Sequence, residues 1–115
     1  MNDYVCEPLG KQHDRSQFDC GVPLLNDYLN KYVNQDVKRK AAAAFVLVER
    51  SAPERVIGFY TLSATSVELS EIPNELTKKL PRYPEIPAIL IGRLARDIRS
   101  SPGTVIFLLS DALLR

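Results

Sequence analysis

Apolar positions along the chain fall into blocks of two different periods. Leu25, Tyr28, Leu29, Tyr32 and Val33 recur at three- and four-residue spacing, with Asn30, Lys31, Asn34 and Gln35 on the opposite side. That period predicts a helix over residues 23–40 with one apolar face made by those five side chains. Pro23 suits a first helical turn, and Asp19 upstream is placed to cap free amides. Lys38, Arg39 and Lys40 fall at the helix C-terminus, where positive charge is favoured; contact with RNA phosphate is the alternative use of the same residues. Residues 4–9, 43–49 and 55–67 are shorter blocks rich in β-branched and aromatic residues, and they read as strands. A fourth strand opens with Ala88-Ile89-Leu90-Ile91 after Pro84 and Pro87, and its apolar run is expected to be buried. Gly92 interrupts it, as Gly58 interrupts the third strand; glycines there mark a bulge or a close approach. Residues 73–80 read as a short helix and residues 105–114 as a last one. The order strand, helix, strand, strand, short helix, strand, helix predicts an α+β fold with a mostly antiparallel sheet flanked by helices.

Length and composition narrow the picture modestly. A chain of 115 residues is one domain, and 45% apolar with 25% charged residues is ordinary for a soluble globular protein. The formal net charge of +1 does not point to nucleic acid. Local charge is less even: Arg93, Arg96 and Arg99 form one basic stretch, whereas Glu68, Glu71 and Glu75 form an acidic one. Cys6 and Cys20 read as reduced thiols, and no leader or long apolar run is visible, so a cytoplasmic location away from membranes is expected. No metal is expected, because His13 and two distant cysteines match no zinc spacing. His13 sits in the polar run Lys11-Gln12-His13-Asp14-Arg15-Ser16 and reads as a solvated loop residue. The stretch that carries candidate chemistry is Ala88 to Arg99. A strand there runs into the small-residue turn Ser100-Ser101-Pro102-Gly103-Thr104 and then a helix start, the layout of an anion site. The plainer reading is a core strand with a solvated arginine rim.

Four segments taken together carry a family resemblance. They are Phe18-Asp19-Cys20-Gly21 ahead of Leu25 and Tyr28-Leu29, then Gly58-Phe59-Tyr60-Thr61-Leu62-Ser63, Leu80-Pro81-Arg82-Tyr83-Pro84 and Ile91-Gly92-Arg93-Leu94-Ala95-Arg96-Asp97. In this order, across residues 18–115, the chain resembles the GNAT-type acetyltransferase toxins of type II toxin–antitoxin pairs. The resemblance implies a GNAT-like α+β sheet, with residues 1–115 as the N-terminal portion of an acyl-CoA N-acyltransferase domain that is incomplete at its C-terminus. It implies transfer of acetyl from acetyl-coenzyme A to the α-amino group of an aminoacyl-tRNA, which stops translation. The implied partner is a ribbon-helix-helix antitoxin, with DNA reached only through it; a homodimer is left open. The backbone at Leu94, Ala95 and Arg96 would pair with the pantetheine arm like an added strand. Arg99 and the Gly103-Thr104 turn would lie beside the pyrophosphate.

Two departures from the family pattern shape the functional expectation. The family loop has alternating glycines, whereas only Gly103 remains here; Pro102 lacks an N–H, and Val105 and Ile106 add bulk. Family members also continue past the point matching Arg115, with a strand pair and a helix that hold a catalytic tyrosine, so no catalytic residue is assigned. Tyr28 and Tyr32 read as helix-face core, Tyr60 as a strand residue and Tyr83 as part of a loop. The expectation is an acetyltransferase toxin that is impaired as written. The alternative is a catalytically dead homologue serving as an antitoxin-binding or structural remnant. A small RNA-binding module rests on the basic residues alone. Marginal stability and self-association through the fourth strand and last helix are also expected.

Overall fold

The computed structural model describes residues 3–68 and 85–115, so the expected helix at 73–80 and the Leu80-to-Pro84 segment lie outside the described residues. Strands β1 (Tyr4–Pro8), β2 (Ala43–Glu49), β3 (Gly58–Glu68) and β4 (Glu85–Arg96) form one antiparallel sheet in chain order. The apolar run Phe45-Val46-Leu47-Val48 lacks polar alternation because the sheet is covered on both faces. Val46, Val48, Phe59 and Ala95 pack on one side against Phe18, Tyr28, Leu29 and Val33. Leu47, Ile57 and Tyr60 pack on the other against Leu108 of α3 (Thr104–Leu114).

The first helical layer is α1 (Pro23–Asp27), a π-helical turn (Tyr28–Tyr32) and α2 (Val33–Lys38). The Val33 N–H donates to the Tyr28 carbonyl, five residues back. That wider turn carries Val33 to the core position beside Tyr28 and Leu29, with Leu25 partly buried against the same cluster. Tyr32 is turned outward and is 54% exposed, which corrects the expectation that it belongs to the apolar face. Asp19 does not cap a helix amide either. Its carboxylate accepts from the Gly21 N–H at 2.8 Å and from Asn26 Nδ2 at 3.1 Å, so it orders the entry turn while Pro23 opens the helix. Lys40 has φ 58°, and the Ala41 N–H closes on the Asp36 carbonyl at 2.8 Å, a left-handed helix stop made without glycine.

Other expectations need correction. His13 is buried, because its Nδ1 accepts the Gly10 N–H at 2.9 Å and its Nε2 meets Glu7 Oε1 at 2.6 Å. The first of these bonds fixes the tautomer with the proton on Nε2. The run Ala88 to Ile91 is not a buried strand. Ile89 is 71% and Leu90 49% exposed: this part of β4 pairs with Leu62 to Thr65 of β3 and faces α3 only across an open groove. Gly58 does not break β3 but begins it, lying where a Cβ would come within 2.9 Å of Leu108 Cδ1 and 3.3 Å of the Ala95 carbonyl oxygen. The glycine therefore lets α3 approach the sheet. Among the described residues both cysteines are free, no cluster of three metal-ligating side chains occurs, and no helix is long and apolar enough to cross a membrane.

Candidate functional site

The candidate site is built on β4, an edge strand among the described residues. Thr61 pairs with Arg93 and Leu62 with Ile91, so Gly92 is the extra residue of a bulge. The fully buried Thr61 hydroxyl accepts the Arg93 N–H at 3.1 Å, and a Cβ on Gly92 would stand 3.1 Å from the same oxygen. Past the bulge the strand resumes its alternation. Ala95 is buried toward Tyr28 and Phe59, while Leu94 packs toward Tyr60 and Leu108.

The residues expected to face a pyrophosphate have other partners. Asp97 is fully buried. The Arg99 guanidinium holds both of its oxygens, with Nε at 2.9 Å from Oδ1 and an Nη at 2.8 Å from Oδ2. The Arg99 and Asp19 backbone N–H groups donate to the same carboxylate at 2.8 and 3.1 Å. The Arg99 side chain, working against burial, and the two backbone donors hold the Asp97 carboxyl down at about 2. Arg99 also donates to the Gln17 carbonyl, which ties the end of β4 to the entry of the first helical layer. Arg96 donates to the Asp97 carbonyl at 3.3 Å and to the Ser100 carbonyl at 2.8 Å.

The start of α3 is occupied in the same way. The N–H groups of Thr104, Val105 and Ile106 donate to the carbonyls of Ser101, Pro102 and Gly103 at 2.9, 3.3 and 3.1 Å. The Gly103 N–H turns to Ser101 Oγ at 3.3 Å. Pro102 contributes no donor. Thr104 is buried with its hydroxyl unpartnered. β4 is an edge strand among the described residues, and the amides from Gly103 to Ile106 already have acceptors within the turn.

Two constellations were not singled out from the sequence. On one face of the sheet the Arg93 guanidinium lies 3.6 Å from the centre of the Tyr28 ring, and Tyr28 Oη donates to Asp36 Oδ2 at 2.7 Å. Burial, then the Asp36 carboxylate, push the Tyr28 phenol up to about 12. On the other face Tyr60 donates to Asp111, and Arg115 Nε meets Asp111 Oδ2 at 3.0 Å while its guanidinium lies 4.2 Å from the Phe45 ring centre. Burial and Asp111 raise the Tyr60 phenol, and burial pushes the neighbouring Cys6 thiol up to about 12. This second group fastens α3 to β1, β2 and β3. The sequence signal for each was a charged residue inside an otherwise apolar segment, Arg93 in one and Asp111 in the other.

Comparison with known proteins sharpens the picture. No family model matches the chain. The probable toxin TacT of Sinorhizobium fredii is 30% identical over 100 residues, which cover 86% of this chain and 55% of that protein. The chain thus spans about half the length of this curated relative. The solved structure of AtaT complexed with acetyl-methionyl-tRNAfMet superposes with a TM-score of 0.87 at 30% identity, over 97% of this chain and 68% of that one. The structure of AtaTR bound with AcCoA gives 0.79 at 29% identity, over 99% and 68%.

Proposed function

The chain belongs to the GNAT-family tRNA-acetylating toxins, and from that membership we propose that it is an acetyltransferase-type toxin whose acetyl-coenzyme A site is impaired as folded. The reaction of the lineage moves the acetyl group of acetyl-coenzyme A to the α-amino nitrogen of an aminoacyl-tRNA: an amide C–N bond forms, the thioester C–S bond breaks, and coenzyme A leaves as its thiol. In this chain Leu94, Ala95 and Arg96 would present backbone to the pantetheine arm at the open edge of β4. Arg99 and the Gly103-Thr104 turn would lie beside the pyrophosphate. The observation that carries the impairment is the turn itself, where each N–H from Gly103 to Ile106 already has an acceptor within the turn. A ribbon-helix-helix antitoxin as neutralising partner, and DNA reached through it, belong to the same proposal. The second reading, a non-catalytic remnant that still binds the antitoxin, draws on the same closed turn.

Titration calorimetry with acetyl-coenzyme A tests the impairment. The chain is expected to bind weakly, and a variant with a glycine-rich loop in place of residues 100–105 is expected to bind at least about tenfold more tightly, the effect of one or two restored charge-assisted hydrogen bonds. Tight binding by the unaltered chain, or no gain in the variant, would refute it. Acetylation of charged tRNA by the loop variant would favour the transferase over the remnant.

A further inference from the structure

Residues 10–17, between β1 and the first helical layer, form a strap held by four tethers. The Gly10 N–H donates to His13 Nδ1 at 2.9 Å, and His13 Nε2 meets Glu7 Oε1 of β1 at 2.6 Å. The Asp14 N–H donates at 2.6 Å to the carbonyl of Glu54, in the connection between β2 and β3. Arg15 donates to the Leu29 carbonyl inside the π-helical turn and to Asn34 Oδ1 of α2, both at 3.1 Å. Arg99 donates to the Gln17 carbonyl at the far end. One short loop thus joins β1, the β2–β3 connection, the first helical layer and the end of β4. His13 is the only histidine of the chain, and its side chain is fully buried.

We propose that His13 is a proton-operated latch on this strap: neutral, it fastens the strap to β1, and protonated, it releases Gly10 and slackens the hold on the π-helical turn. The two ring nitrogens respond differently to a proton. Nε2–H keeps Glu7 as its partner in either state, and that carboxylate favours the added charge. Nδ1 accepts a hydrogen bond only while the ring is neutral. Once protonated it is a donor facing the Gly10 N–H, and two buried donors are left opposed. Glu7 therefore makes the proton acceptable, and Gly10 makes it disruptive. The other charged groups of the strap are Lys11, which is exposed, Asp14 and Arg15. Asp14 accepts from the Ser16 N–H and hydroxyl at 2.9 and 2.6 Å, and Arg15 is turned to the first helical layer. Glu54 and Arg55 meet the strap through backbone at Asp14. Displacing the ring moves residues 10–13. Asp14 and Arg15 follow directly in the chain, so the Arg15 bonds to Leu29 and Asn34 take up the movement.

The test is NMR of the full chain between pH 8 and pH 5, the range over which histidine ordinarily changes charge. The amides of Gly10, Asp14, Arg15 and Asn34 are expected to shift along one curve with the His13 ring. The Gly10 amide is expected to lose at least about tenfold of its protection against hydrogen exchange, the effect of one hydrogen bond. His13→Gln keeps a neutral polar side chain and is expected to abolish the common curve. Glu7→Gln keeps an acceptor for Nε2–H but removes the charge, and is expected to move the curve to lower pH by about one unit. If His13→Gln does not fold, the Glu7→Gln shift decides the matter by itself. A curve retained in His13→Gln, a curve unmoved in Glu7→Gln, a ring that titrates without Arg15 and Asn34, or no transition in this range would each overturn the latch.

Discussion

Asp97 is a buried carboxylate that accepts four hydrogen bonds, three from Arg99 and one from the Asp19 backbone. Its carboxyl lies at about 2 in the folded chain, below its unfolded value of about 3.9. A depressed value means the folded state binds the proton more weakly than the unfolded state. The resulting stabilisation is complete above the unfolded value and is lost as pH falls through about 2. A difference of that size corresponds to on the order of 2 kcal/mol. Asp97→Asn is therefore expected to destabilise the chain at neutral pH and to flatten the loss of stability between about pH 4 and pH 2. Urea unfolding of both proteins across that range measures it; parallel pH profiles would refute the assignment. The sequence made Asp97 visible only as the last residue of a matching segment. Its role depends on Asp19, whose N–H donates to the carboxylate and whose carbonyl accepts the Ile98 N–H at 2.8 Å. A partnership across 78 positions leaves no periodic trace in a single chain. His13 reads as solvated from its polar neighbours, yet Glu7 and Gly10 bury it through a local loop closure that polarity alone does not reveal.

At the scale of elements the two hydrophobic periods were informative. The period-two and compact apolar blocks placed β2 at its observed ends, and the three-four spacing placed the first helical layer. The π turn was not legible, because Tyr28, Leu29, Tyr32 and Val33 satisfy an uninterrupted α-helical face equally well. Only the choice between Tyr32 and Val33 for the core distinguishes them, and packing against Phe59 and Val46 settles it for Val33. Removing one exposed residue from the turn tests this account. Deletion of Asn30 shortens the five-residue step between Tyr28 and Val33 to an ordinary α-helical step. The deletion is expected to fold with stability within about 1 kcal/mol of the parent, because Tyr28, Leu29 and the former Val33 keep one face. A large loss of stability in urea unfolding would show that the turn itself supports the core. The α3 turn was legible in part. The sequence showed Pro102 and a single glycine where a phosphate loop is glycine-rich, but not that Ser101, Pro102 and Gly103 carbonyls take up the following amides.

Over the whole molecule the apolar surface is unevenly covered. Leu108 is fully buried beneath α3, while Ile106, Leu113 and Leu114 of the same helix are 68, 81 and 88% exposed. Across a groove of about 500 Å³ from Leu113 lie Leu62, Ile89 and Ile91 of the outer parts of β3 and β4. These two strands run past the helical layers, and the radius of gyration of 16.3 Å exceeds the ~13 Å expected for a compact domain of this length. A contiguous apolar strip beside an open strand edge is a strong drive to association. Burying one leucine side chain is worth about 1.5–3 kcal/mol, so two or three such residues per chain offset much of the ordering cost of pairing. A second copy presenting the same strip would cover it in a symmetric contact. The chain is expected to dimerise or aggregate at micromolar concentration, with a mass by light scattering that rises with concentration. Leu113→Asp together with Ile89→Lys places charge on both walls of the groove at exposed positions, so the fold is expected to survive and the monomer to dominate. A concentration-independent monomeric mass for the unaltered chain would refute the association, and a variant as associated as its parent would refute the assignment to this strip.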